Sequence, residues 1–331
     1  MLAPRGLTSF LCAARLMLSI LFATGGFFLT PLPSTAQEVI RTADINLRGL
    51  KVKDFPRMIK IADNVYAYEV LQPGHIKMGG FVTNSFIVVT NDGVLVADGF
   101  GSEELVNGMV SVIEKITSQP IKYVIAASDH SDHRRGDPAF PSTAKFFASQ
   151  TSKAVLDDEA KTSNRTGSSR TVTYNAVESN KTILHLGDTE IQVLNLGRAH
   201  TGGDLEVYLP RENILYMSEV FVNRMFPSMH TAYPTEWIQT LKKAEAMQAN
   251  DYIPAHGFVD SPGVLREEIV NFRKCLEYAV AEGRRLHDAK VPLEDATYRS
   301  DLGQYAYWTR AAQNLQDAFH RIYMEADGQL R

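Results

Sequence analysis

The chain has 331 residues, 44% of them hydrophobic and 22% charged, with a formal net charge of −4. This composition suits one large folded domain or two small ones and excludes fibrous repeats and low-complexity disorder. The net charge is too mild to imply a partner, and the sequence has no basic block of the kind that binds nucleic acid.

Residues 1–36 stand apart. Arg5 and Arg15 are their only charges, residues 16–29 are almost wholly apolar, and Pro31-Leu32-Pro33-Ser34-Thr35-Ala36 precedes Gln37-Glu38. A positive start, an apolar middle and a small-x-small end describe a secretory signal peptide cleaved after Ala36. The competing reading is an uncleaved membrane anchor, but the apolar run is shorter than the roughly 20 residues a spanning helix needs. Residues 37–331 are then an exported chain, periplasmic or secreted, with no integral membrane segment. That chain keeps one cysteine, Cys275, which can form no internal disulfide and reads as a buried, inert thiol.

An irregular lead-in at 37–58 gives way to Val65-Tyr66-Ala67-Tyr68, which alternates as a strand does. Residues 85–90 and 94–97 form a hairpin about Asn91-Asp92-Gly93, whose residues tolerate positive φ. Ser102 caps a helix with Leu105, Met109, Val112, Ile113 and Ile116 on one face, and Pro120 ends it. A short apolar strand follows at 121–127. This strand–helix–strand order implies a right-handed crossover. Short strands return over 171–196, and a strand pair over 205–217 turns at Pro210-Arg211-Glu212-Asn213. Thr235 is expected to cap a helix carrying Trp237, Ile238, Leu241 and Met247. Residues 252–254 make a brief strand. Ser261-Pro262 opens a long helix with Leu265, Ile269, Phe272 and Leu276 inward. Residues 304–324 read as a final amphipathic helix. Strands and helices thus occur twice in similar order, as in two α/β halves packed sheet to sheet.

The chemistry concentrates at strand ends. Ser128-Asp129-His130-Ser131-Asp132-His133 follows the strand at 121–127. His200 follows the strand ending near 196, Glu219 the one ending near 217, and His256 the one at 252–254. Imidazole and carboxylate together are the donor set zinc prefers, and zinc takes about four of them. A lone His-x-x-His in a loop is more often surface polarity than a ligand pair. The joint placement of four histidines and two acids in equivalent turns carries the metal-site reading. His75, His185, His230, His287 and His320 lack that context, although His230 lies near enough in sequence to reach a pocket rim.

On these residues the sequence resembles the metallo-β-lactamase superfamily over the whole expected mature chain. Asp98 matches the family aspartate after the second hairpin strand, and Ser128 to His133 matches its His-x-His-x-Asp-His motif. His200 before Thr-x-Gly, Ser218-Glu219 at the Gly-Asp motif, and His256 before glycine match the rest. The C-terminal helices, with Trp308 and Asn314, are similar to those of exported members associated with quinoprotein systems. The resemblance implies an α/β fold, a four-layer αββα sandwich spanning 37–331 with a C-terminal helical extension. It implies metal ligands His130, Asp132, His133, His200, Glu219 and His256, with Asp132 and Glu219 in catalytic roles. It implies zinc as the cofactor and a small-molecule substrate of the acyl, lactone, ester or β-lactam type. Two departures stand out: serine at 128 in place of the first histidine, and glutamate at 219 in place of the bridging aspartate. They leave the Asp132/His133/His256 site intact and weaken the first, unless Asp129 swings in or the longer Glu219 reaches further. Asp98 is expected to brace a ligand loop. Arg134, Arg135 and Arg224 are candidate substrate-binding cations, with Met225 and Phe226 on a facing wall. The glycine-rich segment 75–81 is either a flap or an ordinary hairpin loop. A redox metalloprotein and a non-catalytic binding protein on the same scaffold are the alternatives to a metallo-hydrolase.

Overall fold

The computed structural model describes residues 40–72, 80–162 and 170–330. The expected signal peptide and nearly all of segment 75–81 lie outside them. Among the described residues, no helix is long and apolar enough to cross a membrane.

Runs of alternating apolar residues build two sheets. The first holds β1 (Arg57–Ala62), β2 (Val65–Leu71), β3 (Val82–Thr90), β4 (Gly93–Ala97), β5 (Ile121–Ala126), β6 (Lys145–Ser149) and β7 (Tyr174–Val177), paired in chain order. Strands β1 to β4 are antiparallel, and β4 to β7 are parallel. The second sheet holds β8 (Lys181–Leu186), β9 (Thr189–Leu194), β10 (Glu206–Leu209), β11 (Ile214–Tyr216) and β12 (Asp251–Ile253). Its order is β12-β11-β10-β9-β8, with β11 and β12 parallel and the other pairs antiparallel.

Successive side chains in a strand point to opposite faces, so each strand of the first sheet feeds two cores. Phe86, Leu95, Ala97 and Ile125 join residues of the second sheet in the main core, where the Phe86 and Tyr216 rings stack at 5.3 Å. Their neighbours Ile87, Val94, Val96 and Val124 face outward onto α1 (Glu103–Ile116). Ser102 caps α1 by accepting from the Leu105 amide, as expected. Val106, Met109 and Ile113 fill its buried face, whereas Ile116, at the last turn, is 39% exposed. The loop after β5 contains the single turn α2 (Ser131–Arg134), and α3 (Gln150–Thr162) follows β6. The second sheet is covered by α4 (Pro234–Ala246), α5 (Pro262–Asp288), α6 (Leu293–Arg299) and α7 (Ala311–Ala326), whose Trp237, Phe272, Ala296 and Phe319 enter the main core. The layers run helix, sheet, sheet, helix.

Two expectations need correction. Tyr233, not Thr235, occupies the N-cap of α4; Pro234 takes the first helical position, and Thr235 Oγ1 instead donates to Glu325 of α7. The tail from 304 is not one helix. A 3-10 turn at Gly303–Tyr307 ends, Arg310 adopts φ +66°, and α7 starts anew at Ala311.

Candidate metal centre

Every candidate ligand leaves the C-terminal end of a strand. His130, Asp132 and His133 come from the loop after β5, His200 from the loop after β9, Glu219 after β11 and His256 after β12. The two sheets pack face to face, and four loops released at their strand ends converge on one point. An isolated bridge from His256 to Thr83 of β3 and another to Val222 tie the last loop to both halves.

The donor atoms form two groups that share Glu219. In the first, Asp132, His133, Glu219 and His256 each offer an atom, all within 4.8 Å of one another. His133 Nε2 and His256 Nε2 lie 3.2 Å apart. Glu219 Oε1 lies 3.7 Å from the former and 3.4 Å from the latter. Asp132 Oδ2 lies 3.8 Å and 3.5 Å from the same two nitrogens. A tetrahedral shell with bonds of about 2.0–2.2 Å puts its ligand atoms roughly 3.3–3.6 Å apart. The four donors keep close to that spacing. In the second group, His130 Nδ1 and His200 Nδ1 each stand 3.1 Å from Glu219 Oε2. His200 Nδ1 is buried and, though close to Glu219 Oε2, is not aligned to hydrogen-bond with it, as suits a lone pair aimed at a cation between them. These residues fit a metal.

Surrounding groups fix each ring. His256 Nδ1 faces Thr83 Oγ1 and the Val82 carbonyl, both at 3.2 Å, which places the proton on Nδ1 and frees Nε2. His133 Nδ1 faces Asp98 Oδ2 at 3.3 Å, with the same result. Asp98 is a hub, as expected. Its Oδ1 accepts from the Ala127 amide at 2.8 Å, and its Oδ2 from Tyr216 and Ser218 hydroxyls at 2.6 Å each. His130 Nε2 meets Thr231 Oγ1 at 2.8 Å.

The electrostatics describe a site built for a cation. Burial pushes the Glu219 pKa up, but the His200, His130 and His133 imidazoles outweigh it and hold the carboxylate well below its usual range. Burial lowers the pKa of His130, yet Glu219 carries it up to about 9. His133 is likewise raised well above its ordinary value against its own burial, by Glu219, Asp132 and Asp98. His200 is lowered, because burial, helped by His130 and His230, outweighs the pull of Glu219. The acids thus gather protons onto imidazoles, and a divalent ion would displace those protons.

No protein-family model matches the chain. It is 22% identical over 207 residues to a metallo-beta-lactamase type 2 of Bacillus sp., covering 61% of this chain and 76% of the relative. It is 24% identical over 187 residues to one of Elizabethkingia meningoseptica, covering 52% and 70%. A linear primary-alkylsulfatase of Pseudomonas sp. matches at 23% over 243 residues, and this chain covers 45% of that protein. Among solved structures, a metallo-beta-lactamase from Pontibacter korlensis superposes with a TM-score of 0.57 at 18% identity, covering 66% of this chain and 99% of that one. The DIM-1 metallo-beta-lactamase gives 0.53 at 17%, covering 66% and 97%. The chain has the metallo-β-lactamase fold and is similar in sequence, at low identity, to metallo-β-lactamases.

The departures from the superfamily motif have visible consequences. Ser128 Oγ–H donates to Glu219 Oε2 at 2.5 Å, so the serine presents a proton where a histidine would present a lone pair. Asp129 does not swing in, because its Oδ2 accepts from Ser152 Oγ. Glu219 does reach both groups.

The metal donors border a cavity of about 260 Å³. His130, Asp132, His200, Glu219 and His256 open onto it, while His133 is fully buried behind them. Met225 and Phe226 line it as expected, and His230 does stand on its wall, stacked on His130 at 4.7 Å. The three arginines proposed from sequence do not line it. Arg134 is turned back onto the Asp129 carbonyl and Glu159. Arg224 pairs with the buried carboxylate of Glu268, and Arg135 is exposed and not among the lining residues. Position next to a ligand loop did not predict direction, because a single helical turn sends consecutive side chains to different sides. Sequence reasoning missed Gln72, Trp237 and Arg310. They reach the cavity from β2's end, α4 and the C-terminal segment, and no local pattern marked them.

Proposed function

We propose that the protein is an exported metal-dependent hydrolase that holds zinc at Asp132, His133, Glu219 and His256. The observation that carries this reading is the close approach of those four donors, five of whose six separations are 3.2–3.8 Å, beside a cavity that Asp132, Glu219 and His256 line. The ligand set suits zinc better than a hard cation, since it mixes two imidazoles with two carboxylates. Bound zinc lowers the pKa of a water ligand to about 7 and polarises the substrate's electrophilic centre. Asp132 lines the cavity, and its carboxylate would orient the attacking water. Glu219 is the carboxylate common to both donor groups. Val222, Phe226 and Trp237 give the cavity an apolar wall, which excludes competing water and receives the body of a small substrate.

The substrate is an acyl compound, whether ester, lactone, amide or β-lactam; relatives named as β-lactamases and an alkylsulfatase support a hydrolase of small molecules. Residues 1–36 act as a cleaved signal peptide, and residues 37–331 work outside the cytoplasm. One metal binds tightly, because the second group keeps only His130, His200 and Glu219.

The test is metal analysis of the purified mature protein beside His133→Ala, with a panel of nitrocefin, aryl esters and lactones assayed with and without chelator. About one zinc per chain, falling in the variant, and chelator-sensitive hydrolysis are expected. A full metal complement in His133→Ala would overturn the site. Tightly held metal with no turnover across the panel would favour a binding protein, and iron with a redox-active spectrum would favour an oxidoreductase.

A further inference from the structure

We propose that Arg310 anchors an oxyanion in the cavity, so that the substrate carries a carboxylate or sulfonate-type group beside an apolar body. This rests on the hydrolase reading and names its substrate class.

Among the described residues, Arg310 is the one arginine or lysine that lines the cavity. The carboxylates there, Asp132 and Glu219, belong to the metal donors. A metal held by them would offset their charge, and among the lining residues Arg310 is the one that is cationic at every working pH. Phe81 touches both Arg310 and a metal donor: the Arg310 guanidinium sits 5.2 Å over its ring, and its ring packs nearly perpendicular to that of His256 with centroids 5.1 Å apart. An anion on Arg310 and a reacting carbonyl beside His256 would therefore be one aromatic ring apart, the span of a small substrate.

The backbone holds Arg310 at this place. Its φ of +66° is one a non-glycine residue adopts only when the surroundings impose it. Here they do. Phe226 N–H donates to the Thr309 carbonyl at 2.9 Å, and Met225 and Thr309 form an isolated parallel bridge. Asn314 Nδ2 donates to the Phe226 carbonyl at 2.8 Å, while its own amide donates to the Arg310 carbonyl at 3.0 Å. Both sides of Arg310 are thus tied to the segment that forms the cavity wall. Strain kept in this way is characteristic of a functional position.

Burial lowers the Arg310 pKa, yet a guanidinium stays charged in proteins. A half-buried cation has lost part of its water and gains more from an oxyanion than an exposed one. Its planar fork matches two oxygens of a carboxylate or sulfonate. The apolar wall of Val222, Phe226 and Trp237 takes the rest of the molecule.

The test uses three aryl esters that differ in one remote substituent: carboxylate, sulfonate or neutral carboxamide. Wild type, Arg310→Gln and Arg310→Lys are compared, each at full metal loading. Wild type should favour the anionic esters. Arg310→Gln should raise KM for them by about 10- to 100-fold, at least tenfold more than for the carboxamide, with kcat less affected. Arg310→Lys, which keeps the charge without the fork, should fall between. A response to carboxylate alone or sulfonate alone identifies the oxyanion. Equal losses on all three esters, or a wild type that prefers the carboxamide, would overturn the proposal. If wild type hydrolyses none of the three, the hydrolase reading fails separately. Calorimetric binding of the free aryl carboxylate and sulfonate then decides the anchor: binding lost in Arg310→Gln supports it, and equal binding in both proteins overturns it.

Discussion

Glu219 makes one centre out of two ligand groups, and Ser128 decides how complete that centre is. Glu219 Oε1 serves the His133/His256 side and Oε2 the His130/His200 side. The Ser128 hydroxyl donates to Oε2 at 2.5 Å, where it competes with any cation for the same lone pairs. A serine hydroxyl is also a weak zinc donor beside imidazole. Replacing it with histidine removes the competing proton and adds the missing nitrogen. Ser128→His is therefore expected to raise bound zinc from about one to about two per chain, with Ser128→Ala staying near one. Metal analysis after dialysis against buffered zinc measures both. A histidine variant that folds and still holds one zinc would show that Ser128 does not limit the second position.

At the scale of elements, the site depends on strand ends and on what clamps the loops they release. α7 does this from a distance, since Asn314 is buried and its Nδ2 supports the Phe226 carbonyl at the cavity wall. Asn314→Ala leaves that carbonyl without its donor, which costs about 1–3 kcal/mol. Urea denaturation is expected to show a loss of that size, and a change below about 0.5 kcal/mol would mean that water replaces the amide. The ligand loops were legible in the sequence because strands β5, β9, β11 and β12 have short apolar runs that stop at histidine, acid or glycine. The hairpin and the Ser102 cap were legible for the same local reasons. The break before α7 was not, because Arg310 owes its left-handed backbone to contacts with residues 225–226, far away in sequence. The cap of α4 was missed because Thr235 is a good capping residue whose hydroxyl is drawn to Glu325 instead. Two of the three arginines expected at the cavity are absent from its wall for a related reason. Glu268 and Glu159, each remote in sequence, draw Arg224 and Arg134 away from the cavity.

For the molecule as a whole, the centre fastens one sheet to the other. His130, Asp132 and His133 hang from the first sheet, and His200, Glu219 and His256 from the second. Metal bound to the folded chain alone adds stability by mass action, about 4 kcal/mol at a thousandfold excess over Kd. Chelation should lower the unfolding midpoint by several degrees, and added zinc should restore it; an unchanged midpoint would mean the sheets hold without it. A second group sets a pH dependence of the opposite sign to metal loss. Burial pushes the Asp137 carboxyl up to about 8, against the Tyr174 hydroxyl that donates to its Oδ2, while its Oδ1 has no donor. Its folded pKa therefore lies above the unfolded value near 4. Between those values the folded state keeps a proton that the unfolded state has released, so stability falls as pH rises from about 4 to about 8. Acid has the reverse effect on the metal, because protons displace it from imidazole. The two are separable with Asp137→Asn, which keeps the acceptor for Tyr174 and carries no titrating proton. With zinc saturating, urea denaturation at steps between about pH 5 and 9 should show wild type losing stability relative to the variant up to about pH 8, then running parallel to it. Curves parallel throughout the range would show that Asp137 is ionised in the folded protein and that another group supplies its missing donor.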